Sequence, residues 1–298
     1  MKKDKTEISN NLSKGQIVKK IADLFVVESD EKTFNCKARG NLKSDGVFVG
    51  DFVLFDQEKL TLEKVCERKN KFIRPPLCNL DGLVIVIAQI PAPDYMIVDK
   101  LILFALCNGV EPIIVINKID IDKGICDYVK KVYSNAVKNI IFTNAMTGEG
   151  VEDLKNAIRG KLVAFAGQSA VGKSALVNAI LKKHAQEVGE ISIRNERGKN
   201  TTRHCEIFFE DGCFITDTAG FTCLDERLLP IAYYELPYYY PEYVKLLDKC
   251  KFSSCVHINE KDCEVKRCIN SGLLDIDRYN RYKEMYKILN NKWVKTHG

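Results

Sequence analysis

Residues 167–174 read GQSAVGKS, and the fold follows from what this stretch must be. It fits G-x-x-x-x-G-K-[ST], the pattern of a phosphate-binding loop. The apolar run LVAFA before it has the length of a buried strand, and SALVNAILKK after it has a helical pattern. Gly167 and Gly172 let the backbone N–H groups of Gln168, Ser169, Ala170 and Val171 wrap phosphates at a helix N-terminus, where the dipole favours an anion. Lys173 is then expected to reach the β- and γ-phosphates, and the Ser174 hydroxyl to bind Mg²⁺.

Two further motifs fit a GTP site. Asp217-Thr218-Ala219-Gly220 ends the strand CFIT, where the Asp can hold Mg²⁺ through water and the Gly220 N–H can meet the γ-phosphate. Asn117-Lys118-Ile119-Asp120 ends the strand PIIVI. A carboxylate there can accept hydrogen bonds from guanine N1–H and the 2-amino group, which adenine does not offer. Asn117 would tie this loop to the phosphate loop, and the Lys118 stem would cover the base. After the strand NIIFT, Asn144-Ala145 begins a loop whose Ala145 N–H would face the guanine oxygen. Asp120 therefore argues against an ATPase. The order is unusual, because the base-reading pieces precede the phosphate-reading ones. All stand at strand ends, and a circular permutation moves no residue in space.

The chain has 298 residues, enough for two or three domains. Its longest apolar runs are strand-sized, far short of a membrane span, and its polar N-terminus lacks a secretory signal. A cytoplasmic protein with no membrane partner is expected. Most of the twelve cysteines are scattered in apolar segments, as reduced thiols would be. From Lys245 onward, twelve Lys/Arg stand against seven Asp/Glu. That excess suits a polyanion partner or a solvated helix face.

Four parts are expected: a polar tail (1–12), an OB-fold β-barrel (13–68), a circularly permuted P-loop G domain with a mostly parallel sheet (69–228), and a helical zinc-binding domain (229–298). The barrel segment alternates β-rich runs with glycine turns, and suits either a nucleic-acid face or a packing scaffold. In the last part, Cys250, Cys255, His257 and Cys263 have the spacing C-x4-C-x-H-x5-C. Three thiolates and an imidazole make a closed structural zinc site, one per chain. Cys268, on an expected helix, is a spare.

With CKARGNL and VGDFV in the barrel, NKID, GQSAVGKS and DTAG in permuted order, and the four zinc-type ligands, the chain resembles the RsgA (YjeQ-type) family of circularly permuted GTPases. The resemblance runs from about Gly15 to the final helix. It implies GTP hydrolysis to GDP, stimulated by the small (30S) ribosomal subunit, and a late role in that subunit's biogenesis. It also implies contacts of the barrel and zinc module with 16S rRNA, by a monomer. The family usually reads G-R-H-T-T before the hairpin; here Gly198-Lys199-Asn200-Thr201-Thr202 stands there, so Asn200 replaces the histidine credited with catalysis. Thr201 or Thr202 is expected to bind Mg²⁺, with Asn200 orienting the attacking water and His204 an alternative. Phe221, after D-T-A-G, agrees with the family's apolar residue. A second reading stays open: a GTP-regulated rRNA-binding module with little intrinsic catalysis.

Overall fold

The computed structural model describes residues 12–39, 42, 46–73, 75–122, 124–181, 205–216 and 229–297. Five strands open the chain: β1 (Leu12–Ile21), β2 (Leu24–Ser29), β3 (Lys32–Ala38), β4 (Phe52–Asp56) and β5 (Thr61–Val65). They close in the order β1-β2-β3-β5-β4. β1 pairs antiparallel with β4 to shut the barrel, and β3 runs parallel to β5. This closure is the OB-type solution to exposed strand edges. Ile17, Val27, Cys36, Val53, Phe55 and Leu62 fill its interior at zero exposure.

The polar stretch after the barrel is ordered. A short hairpin, β6 (Lys71–Phe72) with β7 (Leu77–Cys78), carries it toward the next domain. Arg68 reaches back to the fully buried Asp51 with Nε 2.6 Å and Nη2 2.8 Å from its carboxylate oxygens. Asn79 donates to the Gly50 carbonyl at 2.9 Å. Charged and amide side chains thus strap the barrel to the segment leading into the central sheet.

A six-stranded sheet forms the centre, in the order β10-β9-β8-β11-β13-β12. Its strands are β8 (Gly82–Ile87), β9 (Glu111–Asn117), β10 (Asn139–Thr143), β11 (Leu162–Ala166), β12 (Ile207–Glu210) and β13 (Cys213–Thr216). All neighbours are parallel except the hairpin β12–β13. Helices α1 (Tyr95–Cys107) and α2 (Gly124–Tyr133) cover one face, packing on Leu83, Ile85 and Ile114. Helices α3 (Val151–Ile158) and α4 (Lys173–Ile180) cover the other, packing on Val84, Val86 and Ile113. The central strands are apolar on both faces, as a doubly covered parallel sheet requires.

The join that permutes the chain is short. Only Arg159, Gly160 and Lys161 separate α3 from β11, and the Gly160 N–H donates to the Gly212 carbonyl at 2.7 Å. Base-side and phosphate-side halves can therefore exchange order in the sequence without moving in space.

The rest is helical: α5 (Pro241–Val244), α6 (Glu264–Asn270) and the long α7 (Ile276–His297), with a 3₁₀ segment Tyr233–Tyr239 before them. Buried Tyr240, Tyr243 and Tyr282 form its aromatic core. The positive excess of this region is partly internal. Arg278 is buried, Arg281 nearly so, and both pair with Asp99 of α1. Among the described residues, no helix is long and apolar enough to cross a membrane.

Candidate nucleotide site and metal centre

The phosphate loop turns from the end of β11 into α4, and its two glycines have steric reasons. Gly167 has φ +127°, and a side-chain carbon there would collide with the Val86 carbonyl of the neighbouring strand. Gly172 has φ +97°, and a side-chain carbon there would strike the amide of Asn117. No L-residue adopts such backbone without strain. α4 starts at Lys173, so its first-turn N–H groups open into the hollow of the loop. Lys173 folds over that hollow, donating to the Gly167 carbonyl at 2.9 Å and the Gln168 carbonyl at 2.6 Å. Its burial lowers its pKa, because desolvation disfavours the charged ammonium. A phosphate would supply a compensating anion. Ser169 and Ala170 are exposed along the rim, and Val171 is buried beneath it.

Asn117 joins this loop to the base side. It is 2 % exposed, and its Nδ2 donates to the Val171 carbonyl at 3.0 Å. Its Oδ1 accepts from the Thr143 hydroxyl at 3.3 Å and the Ala145 N–H at 3.1 Å. The Ala145 N–H expected to face guanine is thus already committed to Asn117. A base oxygen would have to share it. Lys118, at φ +62°, donates through Nζ to the Ala170 carbonyl at 2.8 Å and the Ile90 carbonyl at 3.0 Å. Its stem therefore lies between the two loops. Ile119 is half-buried against the core, while Asp120 is exposed.

Asn144 has a role the sequence did not disclose. It is 6 % exposed, and its Nδ2 donates to Asp120 Oδ1 at 2.9 Å. Its own Oδ1 accepts from the N–H groups of Met146 and Thr147 at 2.9 and 3.3 Å. Asn144 thereby fixes the rotation of the Asp120 carboxylate. Gln168 was also legible only as a motif member. Its side chain reaches away from the hollow, accepting from the Asp94 N–H at 2.9 Å and donating to the Ala92 carbonyl at 3.2 Å. Asn200, Thr201, Thr202, His204, Asp217, Gly220 and Phe221 lie outside the described residues.

In the C-terminal helices, the ligand atoms of Cys250, Cys255, His257 and Cys263 lie within 4.8 Å of one another. His257 Nδ1 stands 3.3 Å from the sulfurs of Cys255 and Cys263 and 3.7 Å from that of Cys250. Cys268 faces Glu264 instead. Burial pushes the Cys255 thiol up to about 12 and the His257 imidazole down to about 4. Without a cation the site disfavours charge, and a bound metal would reverse that by stabilising the thiolates. The ring is an uncharged nitrogen donor, and its Nε2 is buried with no partner among the described residues. The loop around it is held by Glu260, which accepts from the N–H groups of Val256 and Ile258, both at 2.8 Å. The donor set fits a metal ion.

A barrel, a P-loop domain read in permuted order and a Cys₃His helical module together define a circularly permuted GTPase. The RsgA GTPase model matches residues 65–226, and the RsgA N-terminal domain model matches residues 14–62. The chain belongs to the RsgA GTPase family and is a GTP-hydrolysing enzyme. It is 35% identical over 286 residues to the small ribosomal subunit biogenesis GTPase RsgA of Ruminiclostridium cellulolyticum, covering 92% of this chain and 93% of that one. YjeQ from Thermotoga maritima superposes with a TM-score of 0.75 at 30% identity, over 93% of this chain and 98% of that one. YloQ, a circularly permuted GTPase, superposes with a TM-score of 0.79 at 26% identity, over 97% and 99% of the two chains.

Asn144→Asp keeps the two accepted bonds but sets carboxylate against carboxylate at Asp120. Losing a hydrogen bond to a charged group is expected to weaken GDP binding by about tenfold or more, roughly 1.5 kcal/mol. Calorimetric titration measures it, and an unchanged GDP affinity would remove Asn144 from this role.

Proposed function

We propose that this GTPase acts on the small (30S) ribosomal subunit late in its biogenesis, hydrolysing GTP with stimulation by that subunit. The observation that carries the reading is the joint presence, in one chain, of the permuted site and two flanking modules across nearly the full length of relatives bearing that name. The barrel and the Cys/His module would contact 16S rRNA from either side of the G domain. The setting is the cytoplasm.

Asp120, steered by Asn144, would read guanine; Asn117 and Lys118 would hold the base loop to the phosphate loop. Ala145, Gly167 and residues 168–172 would line the nucleotide, with Lys173 on its phosphates. Ser174, Asp217 and Thr201 or Thr202 would hold Mg²⁺, and Gly220 would meet the γ-phosphate. When bound, the ion neutralises charge developing on the phosphates. The work left to this chain is positioning. Asn200 has no basic nitrogen near neutral pH, but its amide both donates and accepts, so it can orient water. The metal of the C-terminal module is proposed to be one structural Zn²⁺, held by Cys250, Cys255, His257 through Nδ1, and Cys263.

GTP turnover by the purified chain should rise on adding small subunits. Asn200→Ala should slow the stimulated rate about 10- to 100-fold, roughly 1.4–2.7 kcal/mol of barrier, with GTP affinity little changed. If turnover ignores the subunit while GTP still modulates subunit binding, the chain is a GTP-regulated rRNA-binding module instead.

Elemental analysis should find one zinc per chain. Cys255→Ser should abolish it and expose α6 to proteolysis while GDP binding persists. A folded, subunit-binding preparation without zinc would contradict the metal assignment.

A further inference from the structure

Helix α1 has a polar attachment at each end. At its start, Asp94 caps it, accepting from the Met96 and Ile97 N–H groups at 2.9 and 3.3 Å. The Asp94 N–H is itself given to Gln168 of the phosphate loop, at 2.9 Å. The same Gln168 carbonyl that receives Lys173 therefore belongs to the residue that braces α1. Further along α1, Asp99 is 2 % exposed and accepts from Arg278 and from Arg281, the latter at 2.5 Å. Arg278 also donates to buried Glu242 of α5. Two anions meet two cations there, beneath the rings of Tyr133 and Tyr240.

Both arginines lie on α7, which also holds the loop of the metal ligands. One residue beyond Arg278, the Tyr279 hydroxyl donates to the His257 carbonyl at 2.7 Å; the Tyr282 hydroxyl donates to the Val256 carbonyl at 2.7 Å. Polar contacts along α1 thus link the phosphate loop to α7 and, through Tyr279 and Tyr282, to the backbone of the metal-ligand loop. A buried charge cluster is a poor way to gain stability, since apolar residues of similar volume do as well or better. It does fix one relative placement of two elements, because any shift strands a charge.

We propose that Gln168 and Asp99 are positioning residues that make nucleotide binding and the seating of the C-terminal module one coupled equilibrium. Neither need touch the reacting atoms. An occupied phosphate loop holds Gln168 against Asp94, fixes α1, and so favours the seated position of α7. By linkage, a partner that seats the module raises nucleotide affinity by the same factor. The inference rests on the guanine-nucleotide reading of the site and adds to it the route by which the module senses that site.

Backbone hydrogen exchange across α7, with and without saturating GDP, tests it on the full chain. In the unaltered protein GDP should slow α7 exchange by about fivefold or more, the low end of allosteric coupling. The charge-balanced double substitution Asp99→Asn with Arg281→Gln leaves Arg278 paired with Glu242. It should cut the response to under about twofold and weaken GDP binding by no more than the lost coupling factor. Gln168→Ala, at a half-exposed position, should remove the response from the other end even if the buried replacement fails to fold. Conservative Gln168→Glu, which keeps the acceptor for Asp94, should restore part of it. An α7 that ignores GDP in the unaltered chain overturns the proposal. So does a full response in the variants, which would show that the coupling does not run through Gln168, α1 and Asp99. Failure to bind GDP at all would strike the nucleotide reading as well, whereas GDP binding with a silent α7 strikes this inference alone.

Discussion

One buried amide holds the proposed site together. Asn117 stands at the end of β9, gives its N–H to the phosphate loop at Val171, and takes the Thr143 hydroxyl and Ala145 N–H on its oxygen. Its amide is thus divided between the phosphate loop on one side and β10 with its loop on the other, in a space that admits no larger neighbour. Gly172 must be glycine because the Asn117 amide occupies the volume its side chain would need. An aspartate in place of Asn117 would lose the donor, and a glutamine would overreach. The two halves of the site are clipped together at this residue.

That constraint explains how the chain tolerates its reordering. A site made by strand ends depends on the sheet order β10-β9-β8-β11-β13-β12, not on which strand is synthesised first. The three-residue join from α3 into β11 closes one gap, and Gly160 is anchored to the hairpin turn as it does so. The barrel is joined through its Arg68–Asp51 strap and through Lys19, 2.8 Å from Glu206 at the foot of the hairpin. The Cys/His module is joined through α7, which pairs with Asp99 of α1. Charged side chains thus hold the G domain to both modules.

Much of this was legible in the sequence for a physical reason. Phosphate loops, base-reading carboxylates and metal ligands demand particular residue types at fixed spacing, so GQSAVGKS, NKID and the Cys/His run announce themselves. Continuous apolar runs likewise mark the buried parallel strands. The missed features are long-range pairings between ordinary charged or amide residues. Asp99 and Arg278 are 179 positions apart and look like solvated helix faces until packing brings them together. Gln168 counted only as a variable position of a motif, because nothing local tells that its side chain turns outward to Asp94. Asn144 counted only as the start of the loop that bears Ala145, and its amide does the steering that the pattern left unassigned.

The most direct check of a guanine site clipped across the permutation is the base preference of Asp120→Asn. Replacing the carboxylate by an amide puts a donor where guanine also offers donors, and suits the carbonyl that xanthine presents instead. Competitive titration of GTP against XTP should show the preference exchanged, with phosphate contacts intact. If the variant keeps the preference for GTP, the Asp120 carboxylate does not read the base, and the halves joined by Asn117 do not form the site described.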